Sequence, residues 1–258
     1  MSQNNQYKGL QDRVVIITGG GQGIGRAYAH HFAEQGAISV IAEYDADNGE
    51  KVAEEVRANG GRALAIQTDV ADEASTLAMA KTAVEELGRI DCLINNAAVF
   101  SRITMAPFWE LPAAEWERAM QVNINGPFYC SRAVIPTMQA AKWGRIINVS
   151  SATVIMGREN YLHYITSKSA MIGMSRSMAR ELGEWNITVN TFWPGVTKTE
   201  IKRPSVPDEV FDKMTEMQSI KRLTGTDDLA KGVMFLCSDD ADFITGQSLQ
   251  VDGGLTFI

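Results

Sequence analysis

Short apolar runs alternate along this chain with longer segments of helical period. The apolar runs are rich in β-branched residues, and each predicts a strand: VVIIT (14–18), SVIA (39–42), ALAIQ (63–67), CLIN (92–95), RIINV (145–149), TVNTF (188–192) and SLQV (248–251). Nearly continuous apolar character is typical of parallel strands that helices cover on both faces. Helices are predicted between them near 24–35, 47–59, 73–87, 113–140, 162–184 and 227–237. The alternation predicts the α/β class: a Rossmann-like, doubly wound, seven-stranded parallel sheet in a single domain over residues 1–258.

One long stretch, 194–218, has no strand signal and contains Pro194, Pro204 and Pro207. Such segments are usually functional loops, so a substrate lid is expected at about 196–218. Its second half, DEVFDKMTEM (208–217), places four apolar residues on one helical stripe: Val210, Phe211, Met214 and Met217. This stripe would cover an apolar substrate or, equally, pack on the surface of the domain.

Composition narrows the classes of function. The chain is 45% hydrophobic and 21% charged and has no long uncharged apolar run, so no membrane span is expected. The polar start, MSQNNQYKGLQDR, has no signal-like apolar region, which favours the cytoplasm. A net charge of −7 argues against a nucleic-acid partner. Three widely spaced cysteines lack metal-ligand spacing, so reduced thiols and no metal are expected.

The first predicted strand leads directly into TGGGQGIG (18–25) and then into a helix. Glycines at 19, 23 and 25 permit positive φ and let backbone amides approach a pyrophosphate, which the helix N-terminus also favours. Gln22 and Ile24 complete the turn. This context predicts dinucleotide binding, with a plain tight turn as the alternative.

Glu43 follows the second strand and lies eighteen residues beyond Gly25. A carboxylate there can accept hydrogen bonds from the adenosine ribose and would repel a 2′-phosphate. Gln22 and Tyr44 offer no cation for that phosphate, so NAD is predicted rather than NADP. A solvated carboxylate at a strand end is the alternative. Asp69, after the third strand, would accept from the adenine amino group or simply cap a turn.

YLHYITSK (161–168) places Tyr164 and Lys168 one helical turn apart. A cation about 5 Å from a phenol favours the phenolate by roughly 3 kcal/mol, which lowers a phenol's pKa by roughly two and makes it a useful base. The alternative is that the two residues are simply neighbours on an amphipathic helix and have no catalytic role.

Five motifs occur in an order and at intervals that closely resemble those of the short-chain dehydrogenase/reductase family. They are TGGGQGIG, NNAA (95–98), YITSK, WPGVTKT (193–199) and ITGQSLQVDGG (244–254). The resemblance covers nearly the whole chain and implies a catalytic group of Asn123, Ser151, Tyr164 and Lys168. The resemblance favours Ser151 over Ser150, because Ser151 lies thirteen residues before Tyr164, as in the family pattern, and Ser150 should point to the opposite side of its strand. Ala98 replaces a common glycine, and Thr197 stands where the family usually has a branched apolar residue.

The resemblance also implies a set of coenzyme contacts: Gly19, Gln22, Gly23, Ile24, Gly25, Glu43, Asp69, Val70, Asn96, Tyr164, Lys168, Pro194, Gly195, Thr197 and Thr199. It implies a homotetramer in which the 113–140 and 162–184 helices and the last strand make contacts. It also implies a mechanism without a metal ion. In that mechanism Ser151 holds the substrate oxygen, Tyr164 takes the alcohol proton, and hydride passes to NAD.

Asn123 has a feature that does not depend on the family. Its carbonyl would normally accept from the amide of residue 127, which is Pro127. The carbonyl is therefore expected to be free to hold a water, and the helix is expected to kink. A simple kink beside Gly126 is the alternative.

Residues near the catalytic group predict a mostly apolar or aromatic substrate wall: Val99, Phe100, Val154, Ile155, Met156, Tyr161, Trp193, Phe211 and Met214. The predicted function is an NAD-dependent oxidoreductase for a small molecule, a secondary alcohol or ketone with a hydrophobic or aromatic body. Arg158 and Lys198 would instead suit an acidic substrate. Two alternatives are an NADPH-dependent 3-oxoacyl thioester reductase and a non-catalytic dinucleotide sensor.

Overall fold

Seven parallel strands form one sheet with helices on both faces. The computed structural model describes residues 7–100, 103–201 and 208–257. The strands are β1 (Val14–Thr18), β2 (Ile38–Glu43), β3 (Arg62–Gln67), β4 (Cys92–Asn95), β5 (Gly144–Val149), β6 (Ile187–Pro194) and β7 (Ser248–Val251). The helices are α1 (Gly23–Glu34), α2 (Ala46–Ala58), α3 (Glu73–Leu87), α4 (Ala113–Met120), α5 (Gly126–Ala141), α6 (Thr153–Met156), α7 (Leu162–Leu182), α8 (Asp208–Met217) and α9 (Thr226–Cys237). All seven predicted strands are present, and the predicted fold class is confirmed.

The strand order is β3-β2-β1-β4-β5-β6-β7. Strands β1 to β3 therefore follow one another toward one edge of the sheet, and β4 to β7 follow one another toward the other edge. Between β1 and β4 the helices that follow the strands lie on opposite faces, which opens a crevice at the carboxyl ends of the strands. Ligands bind at this position in doubly wound sheets.

Alternate residues of the strands enter two separate cores. In β1, Val15 and Ile17 pack in the core that contains α1, α2 and α9, whereas Val14 and Ile16 pack in the core that contains α3, α5 and α7. All four side chains are fully buried, and burial of each stabilises the fold by about 1.5–3 kcal/mol. Burial on both faces explains why the strands lack the polar alternation of a half-exposed sheet.

The helix predicted over 113–140 is interrupted, which corrects the sequence analysis. A π-helical turn, Gln121–Asn125, separates α4 from α5, and the amide of Gly126 donates to the carbonyl of Gln121. Because Pro127 has no N–H to continue the α-helical pattern, the backbone moves to the wider bonding pattern here. The expected kink is therefore a π-helical turn, a feature common near functional sites.

The predicted lid is described only in part. Residues 196–201 and α8 belong to the structure, whereas Pro204, Pro207 and the rest of 202–207 lie outside the described residues. Across the described ranges, no helix combines the length and apolar character that a membrane crossing requires.

Candidate active site

Two adjoining cavities lie at the carboxyl ends of the central strands. The larger, the coenzyme cleft, has a volume of about 320 Å³, and the smaller, the substrate cavity, about 100 Å³. Eleven of the predicted coenzyme residues line the coenzyme cleft: Gly19, Gln22, Ile24, Gly25, Glu43, Asp69, Val70, Asn96, Tyr164, Lys168 and Pro194. Gly195 and Thr197 line the substrate cavity instead. Tyr164 lines both cavities.

The glycine turn leaves no space for side chains. Gly19 has φ 64°, and a Cβ there would lie 2.9 Å from the Ala97 Cα, while a Cβ on Gly25 would overlap the Gly19 carbonyl oxygen. The Asn96 side chain donates to the carbonyls of Thr18 (3.0 Å) and Gly19 (3.2 Å). Asn96 therefore holds the turn in shape as well as lining the cleft.

Glu43 lies at the end of β2 and is only 8% exposed. Its carboxylate accepts from the amides of Gly21 (2.9 Å), Tyr44 (2.9 Å) and Asp45 (3.4 Å). The alternative of a solvated strand-end carboxylate is therefore wrong. The bond to Gly21 ties the glycine turn to β2 and fixes the negative charge inside the cleft.

Asp69 has two roles in the structure. One carboxylate oxygen accepts from the amide of Ala71 at 2.9 Å, which is the turn-capping alternative raised by the sequence. The same residue also lines the coenzyme cleft, beside Val70.

Lys168 is 3% exposed, and its Nζ donates to the carbonyl of Val149 at 2.8 Å. The Nζ lies 6.0 Å from the centre of the Tyr164 ring, so α7 brings the two residues together as predicted. Burial lowers the pKa of Lys168 to about 8, because an ammonium loses hydration in the interior. The cation therefore lies where it can favour a phenolate at position 164.

The two serines after β5 are turned to different partners. Ser151 lines the substrate cavity, and its Oγ accepts from the Thr153 hydroxyl (2.8 Å) and amide (3.2 Å). Those bonds leave the Ser151 proton available for a substrate oxygen. Ser150 Oγ instead donates to the carbonyl of Lys168 at 2.7 Å and anchors α7.

Asn123 joins three elements around the site. Its Oδ1 accepts from the amide of Val99 at 2.8 Å, and its Nδ2 donates to Ser167 Oγ at 3.0 Å. Ser167 Oγ in turn donates to the carbonyl of Tyr164 at 2.8 Å. The π-helical turn is therefore hydrogen-bonded to α7 at Ser167, whereas a water on the Asn123 carbonyl stays a prediction.

Three of the nine predicted wall residues line one or both of the two cavities. Phe100 and Met156 line the substrate cavity, and Val99 lines the coenzyme cleft. The remaining predicted residues line neither of the two cavities: Val154, Ile155, Tyr161, Trp193, Phe211 and Met214. Sequence reasoning missed Val196 and Thr153, and it placed Val210 on the lid stripe without choosing it as a wall residue.

Burial and side-chain direction explain why several predicted wall residues line neither cavity. Tyr161 and Trp193 are buried, and the Tyr161 ring meets the Tyr164 ring edge-on, with ring centres 6.2 Å apart. Ile155 is exposed because α6 is a single turn with one side toward solvent. On α8 it is Val210 that reaches the cavity, while the Phe211 ring lies 5.7 Å from Lys198 Nζ.

The segment after β6 folds onto the glycine turn, which the sequence did not indicate. The amide of Gly23 donates to a Glu200 carboxylate oxygen at 2.8 Å. A Cβ on Gly23 would lie 2.6 Å from Ile201 Cδ1, and Ile201 lines the coenzyme cleft. Thr199 lies close by and accepts from the amide of Ile201 at 3.4 Å. Gly23 therefore contacts this segment, Thr199 is part of it, and neither residue lines either cavity.

Sequence and structure comparisons agree with this geometry. A family model described as enoyl-(acyl carrier protein) reductase matches residues 19–256. The chain is 35% identical to the 7α-hydroxysteroid dehydrogenase of Escherichia coli K12, over 97% of each chain. It is 35% identical to the 3-oxoacyl-[acyl-carrier-protein] reductase FabG of Staphylococcus epidermidis, over 95% of this chain and 99% of that protein. A double mutant of a Serratia marcescens short-chain dehydrogenase/reductase matches with a TM-score of 0.87 and 34% identity, over 96% and 99% of the two chains.

The chain belongs to the short-chain dehydrogenase/reductase family. It is accordingly an oxidoreductase of the class that acts on CH–OH groups with a nicotinamide dinucleotide, NAD or NADP.

Proposed function

We propose that the protein is an NAD-dependent dehydrogenase, or in reverse a ketone reductase, for secondary alcohols with a hydrophobic or aromatic body. The observation that carries the proposal is that Tyr164 forms part of the wall of both cavities. Lys168 lies on its coenzyme side and Ser151 on its substrate side. A base in that position can take a proton from an alcohol while the carbinol carbon faces the coenzyme.

The protein's own groups account for the proton chemistry. The Ser151 hydroxyl donates to the substrate oxygen and holds it near Tyr164. Tyr164, as phenolate, accepts the alcohol proton, and the buried Lys168 ammonium compensates the negative charge on the phenolate. In the reductive direction the same tyrosine donates the proton. Asn123 positions Tyr164 and Lys168 through its bond to Ser167.

The residues of the coenzyme cleft fit a nicotinamide dinucleotide. The turn around Gly19 and Gly25 accepts no side chain, and it leads into the N-terminus of α1, which favours a phosphate. Glu43 is the group that would accept from the adenosine ribose hydroxyls, and its charge disfavours a 2′-phosphate. When bound, the coenzyme would supply the hydride acceptor.

Steady-state assays with NAD and NADP and a panel of secondary alcohols and ketones test this proposal. We expect turnover with NAD at least tenfold more efficient than with NADP, and loss of turnover with retained NADH binding for Tyr164→Phe. Turnover that Tyr164→Phe leaves intact would exclude the assigned base. Failure of the wild type to turn over any member of the panel would favour a dinucleotide sensor.

A second candidate, an NADPH-dependent 3-oxoacyl thioester reductase, has one observation in its favour. Arg118 on α4 lines the coenzyme cleft and is a cation that the sequence analysis did not identify. If Arg118 contacts a 2′-phosphate, Arg118→Met will raise the KM for NADPH and leave that for NADH unchanged. The overall coenzyme preference then decides between the two candidates.

The assembly and location are proposed from the family. We propose a cytoplasmic homotetramer that uses α4, α5, α7 and the last strand as contacts. Exposed Phe128 on α5 and Leu162 on α7 support this choice of contact surface. Light scattering of the purified protein measures the assembly directly.

A further inference from the structure

The substrate cavity has a cation in its wall. Among its described lining residues, Arg158 is the only basic side chain, and none is an aspartate or glutamate. We propose that Arg158 binds an anionic group of the substrate, so that the protein acts on secondary alcohols or ketones that carry a carboxylate. This inference rests on the proposed function and adds the substrate class.

The backbone directs Arg158 back toward the active site. Helix α6 ends at Met156, and Gly157 adopts φ 62°, a conformation that glycine tolerates best. The chain reverses there and places the Arg158 guanidinium carbon 4.2 Å from the centre of the Tyr161 ring. Arg158 is therefore held in a defined position and does not extend freely into solvent.

The ring beneath Arg158 is part of a rigid stack. Tyr161 is fully buried and meets Tyr164 edge-on, with ring centres 6.2 Å apart. These distances place the guanidinium no farther than about 10 Å from the Tyr164 ring. The cation therefore lies within the length of a small aromatic substrate from the proposed base.

Stacking leaves the binding edge of the guanidinium available. An arginine stacks through its face and keeps its in-plane N–H donors for other partners. Within residues 7–100, 103–201 and 208–257, Arg158 has no hydrogen bond and no ion pair. A planar carboxylate matches such an edge with two parallel hydrogen bonds.

The rest of the cavity defines the body of the substrate. Phe100, Met156, Val196 and Val210 provide apolar walls alongside Arg158 and Tyr164. A single aromatic ring with a carbinol or keto carbon at one end and a carboxylate at the other fits this arrangement. The apolar surroundings also strengthen the charged contact relative to water.

A matched pair of ligands tests the proposal without turnover. Calorimetry in the presence of saturating oxidised coenzyme, which has no hydride to give to a ketone, compares 4-acetylbenzoate with its neutral analogue, 4-acetylbenzamide. We expect the wild type to bind the acid about 10- to 100-fold more tightly, the range of a charge-assisted hydrogen-bonded pair. In Arg158→Met that ratio should fall toward one, and in Arg158→Lys it should be intermediate, because an ammonium keeps the charge but not the two parallel bonds.

Lys198→Met is the matched control, since Lys198 is a nearby cation that lines neither cavity. It should keep the acid-to-amide ratio of the wild type. A wild-type ratio near one, no binding of the acid, or a ratio lost in Lys198→Met and kept in Arg158→Met would each overturn the proposal. Circular dichroism verifies that each variant is folded.

Turnover separates this inference from the proposed function. If 1-phenylethanol is oxidised but the acid has no advantage in binding, only the role of Arg158 fails. If the acid binds selectively through Arg158 but no alcohol or ketone is turned over with either coenzyme, the anion site stands and the dehydrogenase proposal fails.

Discussion

At the scale of single residues, Ser150 and Ser151 are neighbours with separate tasks. Ser151→Ala should lower kcat about 100- to 1,000-fold, the effect of removing one donor to a reacting oxygen, with little change in stability. Ser150→Ala removes the buried bond to the Lys168 carbonyl and should lower the free energy of unfolding by about 1 kcal/mol, with a much smaller effect on kcat. Denaturant titration and steady-state kinetics on both variants measure the contrast. Equal losses of kcat would contradict the assignment.

Lys168 should make the stability of the fold depend on pH. Burial lowers its pKa from 10.5 to about 8, so at pH 7 the folded state carries a poorly hydrated ammonium at a cost of up to about 3 kcal/mol. Between pH 8 and 10.5 the folded chain has released this proton while the unfolded chain retains it. The contribution of Lys168 to stability therefore rises with pH across that window.

Lys168→Met tests this linkage. The variant should lose turnover and yet be more stable than the wild type at pH 7, with the difference shrinking as pH approaches 10.5. The lost hydrogen bond to Val149 reduces the gain. Denaturant titration at several pH values measures it, and Lys81→Met, at an exposed position on α3, is the control. A stability difference that does not change with pH would contradict the linkage.

The residue scale is also where sequence reasoning was most and least successful. The adjacency of Tyr164 and Lys168 followed from helical spacing, whereas Ser151 was chosen from the resemblance to the family. Tyr161 shares their motif but is buried behind Tyr164. Which side of a ring faces a cavity depends on packing from Phe100 and Arg158, which local spacing does not specify.

At the scale of elements, the strands and most helices were predictable because hydrophobic periodicity reports burial directly. The π-helical turn Gln121–Asn125 was not, although Pro127 correctly marked its place. The N–H that Pro127 lacks shows that the α-helical hydrogen-bonding pattern must change. It does not show whether the helix kinks or forms a wider π-helical turn. Contacts of Asn123 with Val99 and Ser167, which are distant in sequence, accompany the wider turn.

The segment that follows β6 yields a prediction about coenzyme affinity. Glu200 is exposed and bonds to Gly23, an amide of the turn that is proposed to hold the pyrophosphate. Its charge opposes a bound phosphate, so Glu200→Gln should lower the Kd for NADH by about two- to fivefold, the range of an exposed charge interaction. Fluorescence titration measures this at low salt, where the effect should be largest.

Glu209→Gln, on α8, is the control for this measurement. It removes the same charge from an exposed site outside the glycine turn and should leave the Kd unchanged. If both variants behave alike, the effect is one of net charge and the contact with Gly23 has no special role.

At the scale of the whole molecule, assembly should depend on the exposed face of α5. Phe128 is 48% exposed there, and Phe128→Asp would place a charge in the proposed contact surface. We expect light scattering to show a smaller species for this variant. Met217→Asp, at a similarly exposed position on α8, should keep the assembly of the wild type. A wild-type protein that is already monomeric would contradict the proposed tetramer.

Strand order is also a property of the whole molecule. The sequence predicted a doubly wound parallel sheet, and the fixed hand of its crossovers restricts the orders that such a sheet can adopt. The substrate cavity could be predicted only in part. Its walls come from a one-turn helix, from the segment after β6 and from α8, and the relative placement of such short pieces is decided by tertiary contacts. Val196 and Val210 entered the site in this way.

One stretch of backbone, from Gly195 to Ile201, serves both ligands. Its first residues form the substrate cavity, while Glu200 and Ile201 contact the turn that is proposed to hold the coenzyme. Because the stretch touches both sites, we expect an occupied nucleotide site to complete the chamber for the carbinol compound. Kinetics should therefore follow a compulsory sequence in which the nucleotide associates first and departs last.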